Sequence, residues 1–151
     1  MRKFGFIQPA TLLGVALLLL AGCSGGESAP ASGSSGAVTP AQVVEVVGTE
    51  FAFAPNTITV EAGQPTSVNL KNEGAIEHDW SVLEIEARDV DSTPDAAGHQ
   101  HSGAVPTLHT AAQSGQTGQV TFTVEQPGTY EFYCSVPGHK EAGMVGTLVV
   151  E

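Results

Sequence analysis

From Val43 onward, short runs of β-branched and aromatic residues alternate with clusters of turn residues. The runs are too short for helices, and no helical period extends past two turns. Glycine and proline separate them at regular intervals, as at Pro127-Gly128. Many short strands with turn signals between them predict an all-β sandwich. The predicted strands cover residues 43–47, 57–60, 66–70, 80–85, 119–124, 129–133 and 145–150.

Residues 86–118 break this rhythm and predict a long irregular insertion before the last strands. Long irregular segments in compact domains are usually functional or disordered. This one contains His99, His101 and His109, which suggest a weak extra metal site. The alternative is that His99 and His101 are solvated loop residues, because a cluster without a fixed scaffold is a weak ligand set.

The N-terminal 22 residues have the pattern of a secretory signal. Two positive charges, Arg2 and Lys3, precede an uncharged apolar run from Leu12 to Ala21, and this run is shorter than the about 20 residues that span a bilayer. The run ends Leu-Ala-Gly-Cys, which resembles a bacterial lipobox and predicts a lipid on Cys23. The alternative is an ordinary cleaved signal with an unrelated cysteine. Residues 23–41, rich in Gly, Ser, Ala and Pro, read as a flexible linker, and residues 42–151 as the folded domain.

Acidic residues outnumber basic ones by sixteen to five, and the formal net charge is −11. Two of the basic residues lie in the predicted leader, so the mature chain is more acidic still. Such a surface argues against nucleic-acid binding and favours a partner with a basic docking surface. The simpler alternative is that acidity keeps an exported protein soluble.

Candidate metal ligands crowd into one short run that contains Cys134, His139 and Met144. A second imidazole, His78, lies far upstream beside a predicted strand. One thiolate, two imidazoles and a thioether are the ligand set of a mononuclear blue-copper site. Zinc is less suited to this set, since Met is a poor zinc ligand. The alternative is a buried structural Cys beside ordinary surface His and Met residues.

Strand geometry predicts where the thiol points. Side chains alternate between the two faces of a strand, so Phe132 and Cys134 share the apolar face. The sulfur should therefore face the core at one end of the sandwich. Gly138 and Gly143 permit the tight turns that would return the other loop ligands toward that sulfur.

Residues 130–135, Tyr-Glu-Phe-Tyr-Cys-Ser, and residues 142–146, Ala-Gly-Met-Val-Gly, are very similar to the plastocyanin pattern. The spacings between the three loop ligands instead resemble those of auracyanin. The chain thus resembles the cupredoxins, the family of plastocyanin, azurin and auracyanin, over about residues 43–151. The resemblance implies a Greek-key β-sandwich that holds one copper ion. It also implies that His78, Cys134 and His139 are the equatorial ligands and that Met144 is the weak axial ligand.

The chain departs from the family where Asp79 replaces a common Asn. The resemblance implies that the Asp79 backbone N–H still supports the Cys sulfur, while its extra charge stabilises Cu(II) and lowers the reduction potential. Ser135 is expected beside Asp79 in the layer that surrounds the ligands. Tyr133 matches a tyrosine on a second electron route in plastocyanin-like proteins; the alternative is a strand aromatic that packs on the surface. Small apolar neighbours of His139 suggest a docking patch with the imidazole edge as electron port.

These features together predict an exported, lipid-anchored, monomeric blue-copper protein on the periplasmic or other extracytoplasmic face of a bacterial membrane. It would shuttle single electrons between membrane-associated redox proteins, such as a cytochrome or a respiratory or photosynthetic complex. The main alternative is a copper chaperone or store that uses the His-bearing insertion. An enzyme of the multicopper oxidase or nitrite reductase class is disfavoured, since the predicted domain has one Cys and one copper centre.

The ligand hypothesis predicts a colour. The copper-loaded, oxidised protein should be intensely blue or green, because the Cys134 thiolate transfers charge to Cu(II). Cys134→Ser should abolish the visible band, as measured by absorption spectroscopy. Binding of Cu(II) without the band, or a band that survives in Cys134→Ser, would contradict the hypothesis.

Overall fold

The computed structural model describes residues 39–93 and 104–151, which form ten β-strands. Within these ranges no helix has the length and apolar character needed to cross a membrane. The strands are β1 (Gln42–Thr49), β2 (Ala52–Ala54), β3 (Thr57–Val60), β4 (Thr66–Asn72), β5 (His78–Val82), β6 (Ala87–Thr93), β7 (Leu108–Ala112), β8 (Thr117–Val124), β9 (Gly128–Tyr133) and β10 (Val145–Val150).

The strands form two five-stranded sheets, which confirms the predicted all-β sandwich. One sheet has the order β2-β1-β4-β8-β6 and the other the order β3-β10-β9-β5-β7. Most pairs are antiparallel, whereas β1 pairs with β4 and β3 with β10 in parallel. Each of the seven strands predicted from hydrophobic pattern is present, with bounds that differ by a few residues.

The core lies between the sheets and is built on aromatic rings. Trp80 is fully buried and stacks on Phe122 of the opposite sheet, with ring centroids 6.2 Å apart and planes 12° apart. On its own sheet it packs against Phe132, at 5.4 Å between centroids. Burial of such rings dominates the hydrophobic stabilisation of a small sandwich. Trp80 is therefore a core-packing residue that joins the two sheets.

The prediction that residues 86–118 are irregular throughout is wrong in its described parts. Strand β6 begins at Ala87 and β7 at Leu108. Strand β6 lies at a sheet edge with largely exposed side chains, so it lacks the apolar alternation that marks a half-buried strand. Strand β6 also contains Asp89 and Asp91, and because Asp is depleted in strands generally, these residues weakened the sequence signal further. Residues 94–103, with His99 and His101, lie outside the described residues.

Strand β5 is buried on both faces, although one face is polar. His78, Trp80 and Val82 point one way, and Asp79 and Ser81 point the other. Strand β5 lies between β9 and β7, and Ser81 pairs with Tyr133 of β9. The residue after that partner is Cys134. The fold therefore brings the start of β5 beside the chain that leaves β9.

Close packing of β10 on β9 gives a stability prediction. Gly146 lies opposite Phe132, and a Cβ at Gly146 would overlap the Phe132 ring and lie 2.7 Å from the Asn56 carbonyl oxygen. We expect Gly146→Ala to lower the free energy of unfolding of the copper-free protein by about 1–3 kcal/mol in urea titrations. Gly48→Ala is the matched control, because its Cβ would meet only ordinary contacts of 3.4 Å or more. Equal losses in the two variants would contradict this account.

Candidate metal centre

Three predicted ligands converge at one end of the sandwich. His78 begins β5, Cys134 directly follows β9, and His139 lies in the loop before β10. The His139 Nδ1 atom lies 3.3 Å from His78 Nδ1 and 3.3 Å from Cys134 Sγ. All three donor atoms lie within 4.8 Å of one another. His78 and Cys134 have no solvent-exposed area, and His139 is 5% exposed.

Backbone hydrogen bonds close the ligand loop on itself. The Cys134 N–H donates to the Met144 carbonyl at 3.1 Å, and the Met144 N–H donates to the His139 carbonyl at 3.0 Å. Met144 is fully buried within the same core cluster as Cys134. Gly138 and Gly143 have φ values of 87° and 103°, a backbone region that favours glycine. The predicted return of the loop toward the sulfur is confirmed.

A cation would stabilise the ionised form of the thiol in this cluster. Burial raises the pKa of the Cys134 thiol to about 12, and the nearby Asp79 charge adds to the effect. Burial also lowers the pKa of His78, with a further contribution from the neighbouring His139. The imidazole is therefore neutral and ready to ligate, whereas the thiol ionises only if a positive ion replaces its proton.

The donor atoms fit one metal ion. An ion about 2 Å from each donor would hold neighbouring donors about 3.5 Å apart, close to the 3.3 Å of the two pairs that include His139 Nδ1. Two imidazoles and a thiol within 4.8 Å of one another, with a buried thioether in the same loop, favour copper over zinc.

Asp79 ties the two ligand segments together. Its backbone N–H donates to Cys134 Sγ at 3.4 Å, as the sequence predicted. Its buried carboxylate accepts hydrogen bonds from the Ser135 backbone N–H and hydroxyl, both at 2.8 Å, and from the Ser81 hydroxyl at 2.7 Å. The expected layer around the ligands thus contains Asp79 and Ser135. The sequence analysis did not identify Ser81 as a partner of Asp79. Its position two residues beyond Asp79 could have indicated this contact, because residues i and i+2 of a strand share one face.

Two further predicted residues occupy the surroundings of the cluster. Tyr133 is 7% exposed, and the Lys140 ammonium lies 4.3 Å from its ring centre. Burial raises the pKa of the Tyr133 phenol. His109 lies on β7, with Nδ1 3.0 Å from Ser81 Oγ. Cys23 lies outside the described residues.

Sequence reasoning also missed Phe51. This residue lies in the turn between β1 and β2, where its ring meets the His139 imidazole edge-on at 5.2 Å between centroids. It is 45% exposed and has a φ of 62°, which is rare for a bulky side chain. A single aromatic between two strands carries no pattern that could have identified it.

Comparisons with known proteins agree with this geometry. Residues 41–151 match the family described as copper binding proteins, plastocyanin/azurin family. The copper-resistant cuproprotein CopI of Rubrivivax gelatinosus is 34% identical over 110 residues, covering 70% of this chain and 63% of that one. Auracyanin-B of Chloroflexus aurantiacus is 34% identical over 140 residues, covering 82% of this chain and 59% of that one. The chain thus spans about three fifths of the length of these two relatives.

A solved structure of auracyanin B superimposes on this fold with a TM-score of 0.60 at 29% identity. The match covers 76% of this chain and 91% of that one. The donor geometry and the family match together assign a type 1 copper site to His78, Cys134, His139 and Met144.

The buried Asp79 charge should lower the reduction potential of the copper. We expect Asp79→Asn to raise it by roughly 50–100 mV, or about 1–2 kcal/mol for a one-electron couple, which lies within the few kcal/mol that one nearby charge is worth at an effective dielectric of about 20. Cyclic voltammetry measures the shift, and the visible band reports whether the site stays intact. Asp91→Asn on the exposed edge strand β6 is the matched control and should shift the potential far less. An unchanged or lower potential in Asp79→Asn would refute the electrostatic role.

Proposed function

The chain belongs to the plastocyanin/azurin family of copper-binding proteins, and we propose that it carries single electrons between redox proteins at a membrane surface outside the cytoplasm. The observation that supports this most directly is the sealed ligand cluster, in which the donors of His78, Cys134 and His139 are already assembled. When bound, copper supplies the one-electron Cu(I)/Cu(II) couple.

A fixed ligand cage suits electron transfer. Cu(I) and Cu(II) prefer different geometries, so a site that changes little between them lowers the cost of each electron step. Here Asp79 holds β5 to the chain after Cys134, and loop hydrogen bonds hold Met144 against His139. Four protein ligands leave no position for a substrate, so the site is that of a carrier and not of an enzyme.

The remaining organisation is part of the same proposal. Residues 1–22 act as a lipoprotein signal, Cys23 carries the lipid, and residues 23–41 form a flexible linker to a monomeric domain of residues 42–151. The apolar run with its lipobox-like end and the low-complexity Gly/Ser segment support this division. The linker would let the copper end of the domain swing between donor and acceptor.

Phe51 and His139 form the proposed electron port. The imidazole edge is nearly covered, and the exposed Phe51 ring lies against it. A bulky residue with positive φ is a strained feature that often marks a functional surface. Exposed Glu50 precedes Phe51 in sequence, and exposed Lys140 and Glu141 follow His139. The occupant we propose is a redox protein whose exposed cofactor edge is ringed by basic residues.

Tyr133 provides a second proposed route. Its backbone adjoins Cys134, but Lys140 lies over its ring and contacts Glu131. A basic partner would therefore meet a cation at this face. We assign the main route to the port of Phe51 and His139 for that reason.

Copper handling is the second candidate function, and the similarity to the copper-resistant cuproprotein CopI favours it. In that function the histidines of the insertion, His99, His101 and His109, would offer a labile site for exchange. The two functions differ in what leaves the protein, which is an electron in one and the ion in the other.

A mixing experiment separates them. The reduced, copper-loaded protein should reduce a basic c-type cytochrome within seconds in a stopped-flow instrument, and the rate should fall with ionic strength. The protein should retain its copper when incubated with a Cu(I) chelator over the same time. Rapid loss of copper together with slow, salt-independent electron exchange would instead support the handling function.

Phe51→Asn tests the port. Asn tolerates the positive φ, so the turn should persist while the apolar contact is lost. We expect about a tenfold slower reaction with the cytochrome, since burying a Phe contributes about 1.5–3 kcal/mol and 1.4 kcal/mol is tenfold. Val43→Thr is the control, because Val43 is an exposed apolar residue near the opposite end of β1. Equal rates in all three proteins, with the visible band intact, would place the port elsewhere.

A further inference from the structure

A chain of hydrogen bonds leads from the copper-binding sulfur to the edge strand β7. The Asp79 N–H donates to Cys134 Sγ, and the Asp79 carboxylate accepts from the Ser81 hydroxyl at 2.7 Å. The Ser81 oxygen in turn lies 3.0 Å from Nδ1 of His109. Asp79 and Ser81 have no exposed area, and His109 is half-buried. No step of copper ligation uses Ser81 or His109.

The direction of these hydrogen bonds follows from proton counting. A serine hydroxyl has one proton to donate, and an ionised carboxylate can only accept. The Ser81 hydroxyl donates its hydrogen bond to Asp79, so the Ser81 oxygen can only accept a hydrogen bond from His109. Nδ1 of His109 must therefore carry a proton, whatever its other nitrogen contacts.

Strand pairing fixes the geometry of this contact. Ser81 and His109 are direct partners in the antiparallel β5–β7 pair. The His109 carbonyl accepts a hydrogen bond from the Ser92 hydroxyl of β6 at 2.7 Å, which holds its backbone from the other sheet. Contacts with β5 and β6 therefore fix the backbone position from which the His109 imidazole reaches Ser81.

We propose that His109 is a positioning residue that tunes the copper through Ser81 and Asp79. Donation from Nδ1–H polarises the Ser81 hydroxyl toward the carboxylate, and this disperses the negative charge that lies beside the thiolate. A weaker negative charge favours Cu(I), so His109 raises the reduction potential. The inference rests on the type 1 copper site but not on the identity of any electron partner.

The protonation state of His109 provides the first test. Nitrogen-15 NMR of the diamagnetic Cu(I) protein, and of the copper-free protein, reports which ring nitrogen carries a proton. We expect a proton on Nδ1 in both forms of the wild-type protein. In Ser81→Ala the Nδ1 proton should no longer be held by a hydrogen bond to residue 81. An unprotonated Nδ1 in the wild-type protein overturns the proposal without any variant.

A double-mutant cycle provides the second test, with the reduction potential as its readout. His109→Phe keeps a ring but removes the donor, and the potential should fall. His109→Asn places an amide nitrogen near the position of Nδ1, and should restore most of the wild-type value. In a Ser81→Ala background, His109→Phe should have no further effect.

Several results would overturn the relay. These are an unchanged potential in His109→Phe, no recovery in His109→Asn, or the same shift in both Ser81 backgrounds, which would mean that His109 acts directly through space. Failure of the copper site itself is distinguishable, because the wild-type protein would then lack the intense visible band. Failure of the carrier function would leave the band and the potentials as expected, with slow electron exchange.

Discussion

The buried carboxylate of Asp79 is the interaction on which the rest of this centre depends. A negative charge without solvent is costly unless several donors surround it, and here Ser81 and Ser135 supply them from two separate segments. Satisfying the charge therefore fixes the distance between β5 and the chain after β9. That distance in turn decides whether His78 can meet Cys134. The charge and the metal are linked, because a copper ion held by His78, Cys134 and His139 would place a cation near both the carboxylate and the thiolate.

The sandwich turns this local requirement into a rigid site. Aromatic packing of Trp80 between Phe122 and Phe132 joins the two sheets beneath the ligands. Strand β10 lies so close to β9 at Gly146 that a single methyl group has no room. The ligand loop starts from β9 and ends at β10, so both of its ends are held by a well-packed pair of strands. Rigidity at the copper is a property of the core and not of the loop alone.

Much of this organisation was predictable from sequence because it depends on local periodicity. Seven strands, the inward direction of Cys134 and the support of its sulfur by Asp79 all follow from alternation or from a familiar motif. Strand β6 was not predicted, because an exposed edge strand with Asp89 and Asp91 has no apolar face. Strand β7 was not predicted either, because its short sequence, Leu-His-Thr-Ala-Ala, has little apolar alternation although it is largely buried. Phe51 and Ser81 were not identified either. Their roles depend on which distant residues the fold places opposite them, as with the register between Ser81 and His109.

The high pKa of Cys134 has a consequence for the life of the protein before it meets copper. Oxidants and disulfides react with thiolates, and a thiol with a pKa of about 12 is almost entirely protonated at neutral pH. Burial adds a steric barrier, since the sulfur has no exposed area. An empty chain in an oxidising compartment would therefore resist sulfenylation and mixed-disulfide formation. The same pocket that makes the sulfur a copper ligand also preserves it as a latent one until the ion arrives.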